Sequence, residues 1–145
     1  MRKKLIHVFA LTLIANLFSS PAQASTYNLK IYIKITSDYS WIDEDGNEDG
    51  VKDDCANGYN DYDIGMGSSL KVVNESGKTI GLGKVTKVSI WRYDYEEDLV
   101  AHCGFRGTVK VGNAKFYKIL VDGRNGPDYS LAQLKKLKWS VTLTI

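Results

Sequence analysis

The stretch 27-YNLKIYIKIT-36 decides the fold class. Its odd-numbered positions are apolar and its even-numbered positions, apart from Tyr32, are polar. This alternation predicts a β-strand with one buried and one solvated face, because successive side chains of a strand point to opposite sides. The C-terminal stretch 139-WSVTLTI-145 alternates in the same way. Both stretches therefore belong to a sheet.

Further β-rich stretches lie between these two. They are residues 69–73, 79–83, 85–93, 105–111 and 115–121. Turn signals at 74–78 and 112–113 separate them, and the imperfect alternation of 85–93 indicates a bulge or burial on both faces. About seven short strands with frequent turns predict an all-β fold, a sandwich or a barrel. Of these we predict an antiparallel Greek-key β-sandwich.

One short helix is predicted just before the C-terminal strand. Ser130 and Gln133 have the spacing of a capping box. Leu131, Leu134 and Leu137 recur on one side, and lysines follow towards the C-terminus, where the helix dipole favours cations. No other helix is predicted.

The first 24 residues have the pattern of a secretory signal peptide. A basic segment at 2–4 precedes 14 mostly apolar residues at 5–18, and Ala22 and Ala24 fit the small-x-small pattern of a cleavage site. The apolar run is short for a membrane span, and an uncleaved N-terminal anchor is the alternative. The prediction is a single β-sandwich domain, residues 25–145, secreted or periplasmic after cleavage near Ala24, with no membrane span in the mature chain.

Charge is unevenly distributed along the predicted mature chain. Removing the three basic residues at 2–4 leaves 16 Lys and Arg against 17 Asp and Glu, a net charge of −1. Residues 38–63 hold ten of the acidic residues and one lysine. An acidic loop is thus set on a mildly basic body. The overall balance does not indicate a nucleic-acid partner.

The two cysteines of the chain are Cys55 and Cys103. In an oxidising compartment an isolated pair predicts a disulfide. The alternative is two free thiols, with Cys103 as a nucleophile and His102 as its base. Neighbouring residues of a strand point to opposite faces, which places His102 badly for that role.

The stretch 43-DEDGNEDGVKDDC-55 predicts a calcium loop. Calcium takes six to eight oxygen ligands, and loops supply them at alternate positions around a turn glycine. The register that starts at Asp45 puts Gly50 in the glycine position. The predicted ligands are Asp45, Asn47, Asp49, the carbonyl of Val51, and Asp53. The alternative is a solvated loop rich in Asp, Asn and Gly.

Three resemblances accompany these patterns. Residues 45–55 resemble a thrombospondin type 3 repeat, whose pattern D-x-D/N-x-D-G-V-x-D is followed by Cys, which implies a calcium loop. Residues 67–121 loosely resemble a transthyretin-like sandwich of the carboxypeptidase regulatory or Cna-B type, which implies the fold only. The layout of Cys55, the segment 62–64 and Trp139 is similar to a family of small exported bacterial proteins, which implies no activity.

Aromatic residues near the acidic loop suggest a recognition surface. Tyr59, Tyr62, Trp91 and Tyr93 are candidate binding residues, since Tyr and Trp dominate such surfaces; packing within the sandwich is the alternative. The sequence carries no G-x-S-x-G, H-E-x-x-H or Walker motif. The prediction is therefore an exported, non-catalytic calcium-binding module with a protein or glycan ligand. A secreted inhibitor or small hydrolase is the alternative.

Overall fold

The computed structural model describes residues 25–36, 40–41, 49–58, 60, 62–95 and 98–145. The strands are β1 (Tyr27–Lys34), β2 (Ser40–Trp41), β3 (Ser69–Val73), β4 (Thr79–Tyr95), β5 (Asp98–Val111), β6 (Phe116–Val121), β7 (Arg124–Ser130) and β8 (Ser140–Thr144). The helices are α1 (Asp49–Asn57) and α2 (Leu131–Lys136). The predicted signal peptide lies outside these residues. Within the described stretches, no helix combines the length and apolar character needed to cross a bilayer.

The strands form one hydrogen-bonded sheet in the order β7-β6-β3-β4-β5-β1-β8, and β2 pairs with β5. Each pairing is antiparallel except that of β1 with β8, which is parallel. The all-β prediction is confirmed. The antiparallel Greek-key sandwich is not confirmed, because the sheet is continuous and mixed. Parallel strands need a long crossover, and here the whole chain between β1 and β8 supplies it.

The two edge strands, β7 and β8, approach each other, so the sheet nearly closes on itself. A cavity of about 290 Å³ separates them, and its lining includes Pro127 of β7 and Leu143 of β8. A Cβ added at Gly126 would lie 3.7 Å from Leu143 Cδ1. The hydrophobic core fills the inside of this curled sheet.

Strands β1 and β8 follow their predicted alternation. Leu29, Ile31 and Ile33 are at most 1% exposed, and Val141 and Leu143 are each 3% exposed. Burying each such side chain contributes about 1.5–3 kcal/mol relative to leaving it in water. The burial explains why the parallel pair is stable, because one face of each strand is removed from water completely.

Strand β4 joins two stretches that the sequence predicts as separate strands, 79–83 and 85–93. Its first part pairs with β3 and its second part with β5. The register against β5 skips one residue between Val85 and Lys87, so the predicted bulge is confirmed. Val85 and Val88 both pack on the core with two residues between them, which explains the imperfect alternation.

Strand β7 occupies a segment in which the sequence predicts no strand. Its residues, 124-RNGPDYS-130, are typical of turns, but β7 lies at an edge, where Pro127 need not donate to a ladder. Asp122 and Gly123 connect it to β6 with φ angles of 46° and 79°. Two consecutive positive φ angles are what a two-residue hairpin of type I′ requires, and Asp-Gly is a strong signal for it.

The predicted C-terminal helix is confirmed as α2. Ser130 caps it, and the Ser130 and Gln133 side chains each accept the other's backbone N–H, which completes the capping box. Leu134 of this helix is fully buried. The prediction of a single helix is wrong, because α1 lies in the acidic segment. Cys55 and Val51 tie α1 to the core, and a short, weakly apolar helix depends on such tertiary contacts rather than on its own pattern.

Candidate functional site

A surface groove of about 420 Å³ crosses the outer face of β1, β4, β5 and β8. We call it the basic groove. Its lining contains three cationic and five hydroxyl side chains: Lys30, Lys87, Arg106, Tyr32, Thr86, Thr108, Ser140 and Thr142. These side chains meet because outward positions on neighbouring strands stand side by side. The groove is therefore polar and positively charged.

The bulge in β4 supplies two consecutive residues, Thr86 and Lys87, to the basic groove. In a regular strand, one of two neighbouring residues would face the core. Bulges bend a strand and re-aim its side chains, and they are over-represented beside functional sites. The irregularity of β4 thus adds both a hydroxyl and a charge to the outer face.

Arg106 is one of the three cationic residues that line the basic groove. The strand register places it directly opposite Lys87 on β4 and directly opposite Tyr32 on β1. Both cations are exposed. A like-charge pair at opposed positions destabilises a sheet, so the Lys87–Arg106 pair is unfavourable for folding alone.

Two aromatic rings of the outer face hold cations. The Arg106 guanidinium lies 5.0 Å from the centroid of the Tyr32 ring. Lys34 Nζ lies 5.8 Å from the same ring and 5.0 Å from the ring of Trp91. Each such contact contributes roughly 0.5–1 kcal/mol at an exposed site. The rings therefore restrain the charged groups and hold them over the sheet.

Gly104 lets the Tyr32 side chain lie across β5. A Cβ at Gly104 would stand 2.8 Å from both the Tyr32 hydroxyl and the Ser89 hydroxyl, closer than side-chain atoms can pack. Glycine inside a strand often marks such a close approach. The position of the Tyr32 ring, and with it that of Arg106, thus depends on the missing side chain.

Next to the basic groove, the strand segments of the outer face contain no acidic residue, although β4 and β5 hold Asp94 and Asp98 further along. The stretches 28–34, 87–91, 102–110 and 140–144 contain no Asp or Glu. They contain five cationic residues, Lys30, Lys34, Lys87, Arg106 and Lys110. These segments therefore carry a positive net charge, which favours a negatively charged ligand.

The predicted disulfide between Cys55 and Cys103 is confirmed. Their Cα atoms are 5.5 Å apart, and the bond joins α1 to β5 across 48 residues of sequence. Both residues are buried, at 1% and 5% exposure. The alternative of two free thiols is therefore wrong. His102 is 2% exposed and stacks on Trp91 at a centroid distance of 4.5 Å.

The predicted calcium ligands fall partly outside the described residues, since Asp45 and Asn47 are not among them. Asp49, Val51 and Asp53 lie in α1. Among the residues that the structure describes, no group of three or more His, Cys, Asp or Glu could hold a metal ion. The calcium site stays a prediction.

Of the four predicted binding aromatics, the structure describes the side chains of Tyr62 and Trp91. Tyr59 lies outside the described residues. Tyr62 packs partly on the core, and its carbonyl accepts a hydrogen bond of 2.6 Å from Arg124 Nη1. Trp91 belongs to the outer face, and Tyr93 follows it on β4. Trp91 is thus the predicted residue that adjoins the basic groove.

The cations of the basic groove were not identified from the sequence. A partial signal was present, because the wet face of 27–36 carries Lys30 and Lys34. The rest depends on strand order, since Lys87 and Arg106 are 19 positions apart in sequence and meet only through the β4–β5 register. In the comparisons with known proteins, no family model, no curated protein and no solved structure matches the chain.

Proposed function

We propose that the chain is an exported, non-catalytic binding module and that the basic groove holds an anionic ligand. The observation that carries this proposal is the setting of Arg106, between Lys87 on one side and Tyr32 on the other. The like-charge pair is unfavourable in the unliganded sheet. An anion bound between the two cations removes that repulsion and gains attraction from both.

The groove offers two kinds of contact to an oxyanion. A guanidinium presents a fixed fork of N–H donors that fits phosphate, sulfate or carboxylate, and lysines add point charges. The Tyr32 ring restrains Arg106 beforehand, so less side-chain freedom is lost on binding. Hydroxyls such as those of Thr108 and Thr142 can donate to further oxygens. A hydroxylated anion fits this mixture.

A binding role is favoured over the small-hydrolase alternative by two side chains. Hydrolysis needs a nucleophile and a base within hydrogen-bond reach of each other. Cys103 is held in a disulfide, and His102 is buried against Trp91. Assay of the purified chain against ester, peptide and glycoside substrates tests this part of the proposal, and turnover lost on His102→Ala would contradict it.

Titration with inorganic pyrophosphate, followed by backbone NMR, tests the anion site. We expect saturable shifts at Arg106, Lys87 and Thr108, and about tenfold weaker binding in Arg106→Gln, because a charge-assisted contact is lost. Lys71→Gln is the matched control, since Lys71 is an exposed lysine of β3 outside the groove. Equal affinities for the wild type and Arg106→Gln would refute the site.

Export and calcium binding complete the proposal. A buried disulfide is typical of oxidising compartments, and it supports a secreted or periplasmic location. We propose that calcium orders the acidic loop that precedes Cys55. Calcium should then raise Tm by several degrees. Asp49→Ala should abolish this rise, whereas Glu44→Ala should leave it. An identical response of the two variants would exclude the predicted register.

A further inference from the structure

Four cations alternate between β1 and β5 along the outer face. The strand register places them in the order Lys34, Arg106, Lys30 and Lys110, with each one two residues further along the pair than the last. Lys34 and Lys30 belong to β1, whereas Arg106 and Lys110 belong to β5. We call this row the cation track. It continues past both ends of the basic groove, because Lys34 and Lys110 are not part of the groove lining.

The spacing of the cation track is regular. Diagonal neighbours on two paired strands are about 7–8 Å apart. Lys34 and Lys110 are separated by six residue steps along the pair, which corresponds to about 20 Å. Charges repeated at this distance along one line match a linear polymer with regularly repeated anionic groups better than they match a single small anion.

A column of hydroxyl groups runs beside the cation track. Strand β8 presents Ser140, Thr142 and Thr144, all exposed, in direct register with residues 30–34 of β1. Hydroxyl side chains both donate and accept hydrogen bonds, as the hydroxyls of a sugar do. The face therefore combines a line of positive charge with a parallel line of sugar-like hydrogen-bonding groups.

We propose that the cation track binds a linear acidic polysaccharide, which lies along β1 and β5 with its sugar hydroxyls towards β8. This inference rests on the proposed anion site and names its ligand class. The basic groove holds one acidic unit at Arg106, and Lys34 and Lys110 contact units further along the chain. Affinity consequently grows with the length of the polymer until it spans the track.

An anionic membrane surface fits this face less well. Interfacial binding needs apolar side chains that enter the bilayer in addition to cations. The large exposed apolar side chains among the described residues are Met66, Leu82, Phe116 and Leu137, and none of them lines the basic groove. The aromatic rings described on this face, Tyr32 and Trp91, hold cations instead.

Single-stranded nucleic acid also fits less well. Such proteins stack bases on aromatic rings along a basic groove. The two rings available here already carry partners, because Tyr32 is covered by Arg106 and Lys34, and Trp91 by Lys34 and His102. The rings position cations, and a sugar chain needs no stacking platform to use those cations.

Binding of galacturonate oligomers to the full mature chain tests the inference by calorimetry. We expect octagalacturonate to bind at least tenfold more tightly than digalacturonate. Lys110→Gln should weaken octagalacturonate binding about threefold, as expected for one exposed ion pair, and leave pyrophosphate binding unchanged. Lys34→Gln combined with Lys110→Gln should lower the affinity for octagalacturonate to nearly that for digalacturonate. Lys71→Gln should alter none of these affinities.

The outcomes separate this inference from the proposed function. If pyrophosphate binds at Arg106 but the two oligomers bind equally, the polysaccharide track is refuted and the anion site stands. If neither pyrophosphate nor any oligomer binds, both proposals are refuted. If oligothymidylate of matched charge binds more tightly than octagalacturonate, the ligand class is wrong. Tighter binding to vesicles of anionic phospholipid than to octagalacturonate would also show that the proposed ligand class is wrong.

Discussion

Lys87 and Arg106 lie directly opposite each other on β4 and β5, so that two exposed cations form a cross-strand pair. An opposed pair of like charges destabilises a sheet. The contact of Arg106 with the Tyr32 ring offsets part of this destabilisation. The arrangement is understandable as a binding surface, because function often retains locally unfavourable choices.

Lys87→Gln should therefore stabilise the unliganded protein while weakening anion binding. The expected gain is about 0.3 kcal/mol in the free energy of unfolding, measured by urea denaturation at low ionic strength. The gain should shrink in high salt, which screens exposed charges. Lys71→Gln should show neither effect. A loss of stability in Lys87→Gln at low salt would contradict the repulsive pair.

Gly107→Ala should destabilise the fold strongly. An added Cβ would meet the Leu70 side chain and lie 2.5 Å from the Lys84 carbonyl oxygen, which belongs to the backbone of β4. Overpacking against backbone costs about 1–3 kcal/mol. Gly112→Ala is the matched control, since a Cβ there meets nothing within 4 Å. Equal unfolding midpoints for the two variants would show that β4 and β5 can separate freely at this point.

The parts of the fold that the sequence predicted are those whose pattern is local. The alternation at Leu29–Ile35, the Ser130–Gln133 capping box and the turn at Gly77 each lie within one short segment. The disulfide follows from chemistry, because Cys55 and Cys103 are the only thiols. The parallel pairing of β1 with β8 has no local signature, since it depends on the path of the chain between them.

The missed elements have specific physical reasons. Strand β7 is stabilised by its ladder with β6 and by an edge position that tolerates Pro127, and residue propensity reports neither. Helix α1 is short and weakly apolar, so its sequence resembles a loop. The basic groove was missed for two reasons. Strand register, which the sequence does not show, brings Lys87 to Arg106. The net charge summed over the chain also conceals a surface on which positive charges gather.

Replacing both cysteines, Cys55→Ala with Cys103→Ala, should lower the free energy of unfolding by about 4 kcal/mol. The chain-entropy estimate for a loop of 48 residues gives this magnitude. Urea denaturation of the oxidised wild type and the double variant measures the difference. The variant should keep pyrophosphate binding, because neither cysteine lines the basic groove. A change below about 1 kcal/mol would mean that the unfolded chain is little constrained by the bond.

Asp122 should make the stability depend on pH in the acid range. Partial burial tends to raise the pKa of its carboxyl group, but hydrogen bonds from Ser68 and Ser69 and the charge of Arg124 outweigh burial and hold the pKa below its ordinary value of 3.8. The Ser69 amide donates to Asp122 Oδ1 over 2.6 Å. The carboxylate therefore stabilises the folded state.

The sign of this dependence follows from the lowered pKa. The stabilisation is fully present above the unfolded pKa, near 3.8, and is lost as the pH falls through the lower folded pKa.

The variant Asp122→Asn tests this dependence. It keeps a residue that tolerates the positive φ of 46°, but it removes the charge. Because the side chain is largely exposed, we expect the variant to be less stable at pH 7 by under about 1 kcal/mol. This difference should shrink as the pH falls through the folded pKa, because the wild-type carboxyl then becomes neutral as well. Asp128→Asn, on the neighbouring strand β7, controls for the loss of a surface charge. Urea midpoints for the three proteins across this pH range measure the effect, and a difference that persists unchanged at the acid end would show that the turn geometry, and not the charge, is responsible.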